Sequence, residues 1–146
     1  MNDSSKLSRM ALESGAIRLS PEKPFTWASG YKMPIYNDNR LLLGKAEYRS
    51  FIAQIFAKYS EDTVKKVDVI AGTATAGIPH ATTLADRLSK PLIYVRATTK
   101  SHGMGNQIEG PLVPGQKVLL IEDLISTGGS AINGVNAIRE VGGIVE

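Results

Sequence analysis

The residues best suited to chemistry stand together in Leu119-Leu120-Ile121-Glu122-Asp123-Leu124-Ile125-Ser126-Thr127-Gly128-Gly129-Ser130. An apolar run delivers adjacent carboxylates to its end, and a turn rich in hydroxyls and glycine then opens a helix. A helix start presents unpaired backbone N–H groups and the positive end of the macrodipole, while Gly128 and Gly129 let the backbone approach an anion closely. A phosphate suits that turn, with the hydroxyls of Ser126, Thr127 and Ser130 as further donors. Glu122 and Asp123 would repel the same phosphate unless they faced something hydroxylated or cationic, and ribose hydroxyls or a magnesium ion would resolve the conflict. A capped helix start behind solvated turn acids is the plain alternative; it explains an acidic pair alone better than it explains the whole run. The run is not a Walker loop, which ends in Gly-Lys-Ser/Thr, and it lacks the spacing of the dinucleotide-binding fingerprint.

Three other segments carry functional side chains. Arg96 to Gly110 is long, polar and rich in glycine, the texture of a lid. Lys100 and His102 are two apart and point to one side of an extended loop, and Arg96 sits at a strand end where a bidentate anion contact is possible; solvated surface charge is the alternative. Gly72 to Gly77 forms a glycine-bearing loop after an apolar run, offering backbone N–H groups and the Thr75 hydroxyl, unless it is a βα turn without chemistry. Between Lys23 and Arg40, Trp27, Tyr31 and Tyr36 would by themselves be read as closing one end of the core.

The elements that must position these residues follow from periodicity. Leu7, Met10 and Ala11 recur at helical spacing behind the possible caps Asp3, Ser4 and Ser5, so a short first helix is expected from Asp3 to about Ser14. Residues 17–43, punctuated by Pro21, Pro24, Gly30 and Pro34, read as short strands and turns. After Gly44, Tyr48, Phe51, Ile52, Ile55, Phe56 and Tyr59 trace one helical face. A strand at Val67–Ala71, the loop, a helix from Ile78 to Leu88 and a strand at Leu92–Val95 make a βαβ unit. The theme returns with a strand at Lys117–Ile121, a turn over 122–129, a helix from Ser130 to Val141 and a strand opening at Ile144-Val145. Continuous apolar strands alternating with helices predict an α/β fold with a parallel sheet covered on both faces, whose ligands bind at the carboxyl ends of the strands.

Composition narrows the class. The 146 residues, 42% of them hydrophobic, suffice for one core. No apolar run approaches a membrane span, and the start Met1-Asn2-Asp3-Ser4-Ser5-Lys6 lacks the apolar stretch of a signal peptide, so a cytoplasmic protein without membrane contact is expected. Zero cysteines remove disulfides and thiolate chemistry, leaving His80 and His102 as imidazole groups. The formal charge of +3 is small and scattered, with Lys65-Lys66 the adjacent basic pair, so nucleic acid is not an expected partner.

Val118 to Ser130 resembles the 5-phosphoribosyl 1-diphosphate (PRPP) binding motif of type I phosphoribosyltransferases, and its detailed form is similar to that of the orotate phosphoribosyltransferases. The other three segments, in family order, look like that family's hood, diphosphate loop and flexible catalytic loop. The resemblance implies the type I phosphoribosyltransferase fold, with residues 1–43 as N-terminal helix and hood and 44–146 as an incomplete α/β core of one domain. It implies transfer of the phosphoribosyl group of PRPP to orotate, with magnesium carried by PRPP and no metal ligand directly on the protein. It implies Lys100, His102 and Asp123 as catalytic groups. PRPP would be held by Arg96, Lys100, His102, Glu122, Asp123, Leu124, Ile125, Ser126, Thr127, Gly128, Gly129, Ser130, Thr75 and Ala76. Orotate would meet Ser126, Lys32 and Tyr36, and the lid would act across a homodimer interface.

The chain departs from the family pattern at Ala97, where many members carry a second Lys, at Thr75-Ala76, where some carry Tyr-Lys, at Ala28, where one subgroup carries Lys, and at Met33, where most carry Ser; Lys32 is expected to replace the charge lost at Ala28. Members also continue past the point matched by Glu146 with further strands and an orotate-contacting Arg, so an incompletely represented chain is expected. A purine-base phosphoribosyltransferase and a non-catalytic PRPP-sensing regulator are the alternatives.

Overall fold

The structure, a computed structural model, describes residues 2–27, 30–98 and 107–146. It comprises two compact units, residues 1–49 and 50–146. Among the described residues no helix is long and apolar enough to cross a membrane.

The first unit opens with α1 (Asp3–Glu13), capped not by Asp3, Ser4 or Ser5 but by Asn2, whose side chain accepts a 2.8 Å hydrogen bond from the Ser5 amide. Asn2 is the residue with extended backbone, which a cap requires; the three expected residues already lie inside the first turn. Strand β1 (Ile17–Leu19), β2 (Phe25–Thr26), β3 (Lys32–Met33) and β4 (Ile35–Asn37) pair antiparallel as β1–β4 and β2–β3. The short strands and turns expected here are therefore present, followed by a 3-10 helix at Asn39–Gly44. Arg18 and Tyr36 face each other across the β1–β4 ladder, with the guanidinium 5.0 Å from the Tyr36 ring and 5.6 Å from that of Phe25. The Trp27 indole N–H donates to the Ile35 carbonyl at 2.9 Å.

Helix α2 (Ala46–Tyr59) leads into the second unit, and α3 (Glu61–Val64) follows it. The core is built from β5 (Val69–Thr73), α4 (Gly77–Leu88), β6 (Leu92–Val95), β7 (Ile108–Glu109), β8 (Lys117–Ile121), α5 (Gly129–Glu140) and β9 (Ile144–Val145). The sheet order is β7-β6-β5-β8-β9, parallel except for β7, which runs antiparallel at the edge. Strand β5 is central and buried throughout. Its alternation serves two layers: Ile70 joins Ala81, Leu84 and Ile121 on one face, while Val69 and Ala71 join Ile93, Val118 and Ile138 on the other. Helices α4 and α5 thus cover opposite faces, as a parallel sheet demands.

Two expectations shift. The strand predicted at 67–71 runs from Val69 to Thr73, so Gly72 belongs to the sheet and the loop begins at Ala74. A Cβ on Gly72 would stand 2.9 Å from both the Ile78 Cα and the Ala81 Cβ, so the glycine is there to let α4 lie directly on the strand. The edge strand β7 lies within what the sequence presents as one polar loop.

Candidate active site at the strand ends

Parallel pairing of β5 and β8 places Gly72 opposite Ile121, so Thr73 and Glu122 emerge side by side from the middle of the sheet. The Thr73 hydroxyl lies 2.7 Å from Glu122 Oε1 and 3.3 Å from the Ile121 carbonyl; its single proton goes to the shorter, charge-assisted contact. The Asp123 amide donates to the same Oε1 at 3.1 Å, and the Ser130 hydroxyl donates to Oε2 at 2.6 Å. Glu122 therefore ties two strands to the first turn of α5. Partial burial on its own would raise the Glu122 pKa, but the hydrogen bonds from Ser130, Thr73 and Asp123 outweigh it and hold the carboxyl below its ordinary value of 4.5.

Between this acid and the helix, residues 124–127 are exposed, including Leu124 and Ile125. The turn closes at Gly128, whose φ of +83° is a left-handed conformation that glycine adopts without strain. Gly128 caps α5 with no side-chain hydrogen bond, so the amides that open the helix are not satisfied by their own cap and point toward whatever occupies the turn.

Facing the turn is the end of β6. The Arg96 Nε is buried without a hydrogen-bond partner, and Nη1 lies 3.5 Å from the Glu109 carboxylate. The Arg96 amide donates to the Gln107 carbonyl at 2.9 Å, the Gln107 side chain donates to the Arg96 carbonyl at 2.8 Å, and the Asn133 side chain of α5 donates to the Ala97 carbonyl at 3.1 Å. A cavity of about 180 Å³ lies between Thr73, Arg96, Ser130 and Asn133. Ordinary small-molecule pockets run to roughly 300–1,000 Å³, so this space suits one charged group of a ligand, not a whole sugar phosphate.

The 74–76 loop lies beside it. Ala74 is held to β6 by a 2.7 Å bond from its amide to the Val95 carbonyl, Thr75 is exposed, and Ala76 precedes α4. At Gly77 the approach is closest: a Cβ there would stand 2.5 Å from Thr73 Oγ1 and 2.6 Å from the Ile121 carbonyl.

The structure thus brings Arg96, Glu122, Asp123, the 126–130 turn and the Thr75-Ala76 loop to one end of the sheet. Lys32, exposed on β3, and Tyr36, half-buried on β4, belong to the first unit. Lys100, His102 and Ala28 lie outside the described residues. Thr73 and Gly77 stand out in the sequence only as members of the 72–77 loop and Glu109 only within the 96–110 segment, and Asn133 does not stand out at all; only the strand register brings Thr73 to Glu122.

An acid-tipped strand beside the central one, a helix start whose amides lack a side-chain cap and a flanking arginine gather at the strand ends of an α/β protein. Residues 44–145 match the phosphoribosyl transferase domain family. The chain is 54% identical over 142 residues to orotate phosphoribosyltransferase of Listeria innocua, covering 97% of this chain and 68% of that protein. Among solved structures it is similar to orotate phosphoribosyltransferase from Aeropyrum pernix, with TM-score 0.84, 32% identity, and coverage of 95% of this chain and 76% of the other. It also resembles the Mycobacterium tuberculosis orotate phosphoribosyltransferase in complex with PRPP, with TM-score 0.71, 26% identity, and coverage of 99% and 78%. The chain belongs to the phosphoribosyltransferases, and within them to the orotate phosphoribosyltransferase family.

Proposed function

We propose that this chain transfers the 5-phosphoribosyl group of PRPP to orotate, giving orotidine 5-monophosphate and diphosphate, a step of pyrimidine biosynthesis. The observation that carries the reading is Glu122, braced between Thr73 and Ser130 at the mouth of the 126–130 turn, since it sets a carboxylate beside a phosphate site. The turn takes the 5-phosphate on its amides and hydroxyls, and Asp123 and Glu122 take the ribose hydroxyls. Thr75 and Ala76 meet the diphosphate, and Arg96 offers it a guanidinium whose buried Nε lacks a partner. Lys100 and His102 supply further cationic contacts to the diphosphate, on the strength of the resemblance. Ser126, Lys32 and Tyr36 are assigned to orotate on the same ground, with residues 1–43 as the hood of a single catalytic domain.

Substitution at the anomeric carbon, with inversion, passes through an oxocarbenium-like state in which positive charge grows on the sugar and negative charge on the leaving diphosphate. Fixed carboxylates near the first and cations near the second lower the barrier by positioning and electrostatics. Among the described residues no three His, Asp or Glu side chains converge on a metal position. The oxygen donors of a diphosphate fit magnesium, a hard ion that keeps most of its water, and when bound it neutralises charge on the leaving group. Exclusion of water by the 96–110 segment, contributed across a homodimer interface, and cytoplasmic residence complete the proposal.

The test is release of diphosphate from PRPP. Release that requires orotate is the expected result. Release driven by a purine base, or PRPP binding with no release, would overturn it.

A further inference from the structure

Thr73 and His80 are the buried polar side chains among the described residues, and Thr73, 3% exposed, reaches the site without a part in the chemistry above. Its hydroxyl donates to Glu122 Oε1 at 2.7 Å, on the side of the carboxylate opposite Ser130, which holds Oε2 at 2.6 Å. The Asp123 amide also donates to Oε1, and the Asp123 side chain bonds the same carboxyl, so the orientation of Glu122 is set by groups on β5, on the turn and on α5. The space around Thr73 Oγ1 is reserved: a Cβ on Gly77 would fall 2.5 Å from it. The methyl group has a separate neighbour, since a Cβ on Gly134 would approach it at 3.5 Å.

We infer that Thr73 is a positioning residue for the sugar donor, whose hydroxyl fixes the orientation in which the Glu122 carboxylate meets a ribose hydroxyl. The inference rests on the PRPP reading of the site. Without the Thr73 bond, Oε1 keeps the longer 3.1 Å bond from the adjacent Asp123 amide, the carboxylate is freer to turn about its last torsion, and each orientation lost to the sugar weakens binding. Turning the carboxylate leaves its charge beside the sugar, so its electrostatic effect on the transition state persists, while the directed bond to a ribose hydroxyl, made in substrate and transition state alike, is weakened; the loss falls mainly on binding.

Valine and serine separate the two halves of this side chain. Thr73→Val keeps the shape and deletes the donor; Thr73→Ser keeps the donor and deletes the methyl. The expected result is a rise of about tenfold in the KM for PRPP in Thr73→Val, matched in calorimetric Kd, with kcat changed by less than about threefold and near-complete recovery in Thr73→Ser. A Thr73→Val enzyme with unchanged KM, or a Thr73→Ser enzyme as impaired as Thr73→Val, would overturn the inference in favour of packing. A cycle with Glu122→Gln, read as urea midpoints, decides the hydrogen bond independently of activity: non-additive losses support it and additive losses refute it. Failure of the wild-type protein to release diphosphate with PRPP and orotate would instead sink the functional reading, and the cycle would still judge the Thr73–Glu122 bond.

Discussion

Alanine in place of Gly77 sets two effects of opposite sign against each other. Gly77 is the first residue of α4, and helix propensity alone would have alanine stabilise the protein by about 1 kcal/mol. The structure opposes this, because the new methyl would lie 2.6 Å from the Ile121 carbonyl and 2.5 Å from the Thr73 hydroxyl. The carbonyl belongs to a strand in the middle of the sheet and cannot retreat without disturbing the β5–β8 ladder. The hydroxyl can rotate away only by abandoning Glu122, at a cost of roughly 1.5–3 kcal/mol for a bond to a charged group. Overpacking of this kind costs about 2 kcal/mol in the middle of its usual range, which less the helix gain of about 1 kcal/mol leaves a net destabilisation of about 1 kcal/mol. At a slope of about 2 kcal/mol per molar urea, the midpoint should fall by about half a molar. Urea titration followed by circular dichroism measures it, with Gly44→Ala as the control, since a Cβ at Gly44 meets nothing within 4 Å. A Gly77→Ala midpoint equal to or above that of the parent would refute the close approach on which this part of the site is built.

Burial holds the His80 imidazole below its ordinary value of 6.5. The unfolded chain therefore takes up the proton first: the contribution is level above 6.5, and stability is lost as pH falls from there through the lower folded value. His80→Leu should remove that slope; urea midpoints of both proteins at about pH 7.5 and about pH 5.5 that drop in parallel would contradict it. Lys100→Ala should lower kcat much more than it weakens PRPP binding, because charge on the diphosphate grows only in the transition state; equal losses in single-turnover rate and calorimetric Kd would argue against that role. Lys32→Ala should raise the KM for orotate, and an unchanged value would remove Lys32 from the base site.

Much of the second unit is legible from pattern alone. Leu92–Val95 and Lys117–Ile121 are found at the expected residues, because strands buried on both faces read as unbroken apolar runs. The acid pair and the turn to α5 are legible for the same reason: a polar cluster directly after such a run marks the strand's exposed end. Strand β5 is harder. Gly72 and Thr73 look like loop residues, and their place in the sheet depends on α4 pressing against a position with no side chain. The brace on Glu122 is invisible in sequence, since Thr73 lies far from the acid along the chain and meets it only through the β5–β8 register, while Ser130 reaches back to it across the turn. Asn2 escaped notice as a cap because three equally good candidates follow it, and only the backbone angles choose among them.

Trp27 is the single tryptophan of the chain, and its indole is fastened to Ile35 within the first 49 residues. Intrinsic emission excited at the red edge is accordingly an optical signal from the amino-terminal unit alone, whereas ellipticity is weighted toward the larger unit that follows. Recording both through one melt turns the pair into a cooperativity gauge: superimposable curves mean that the units come apart together, and separated curves mean that one gives way while the other persists.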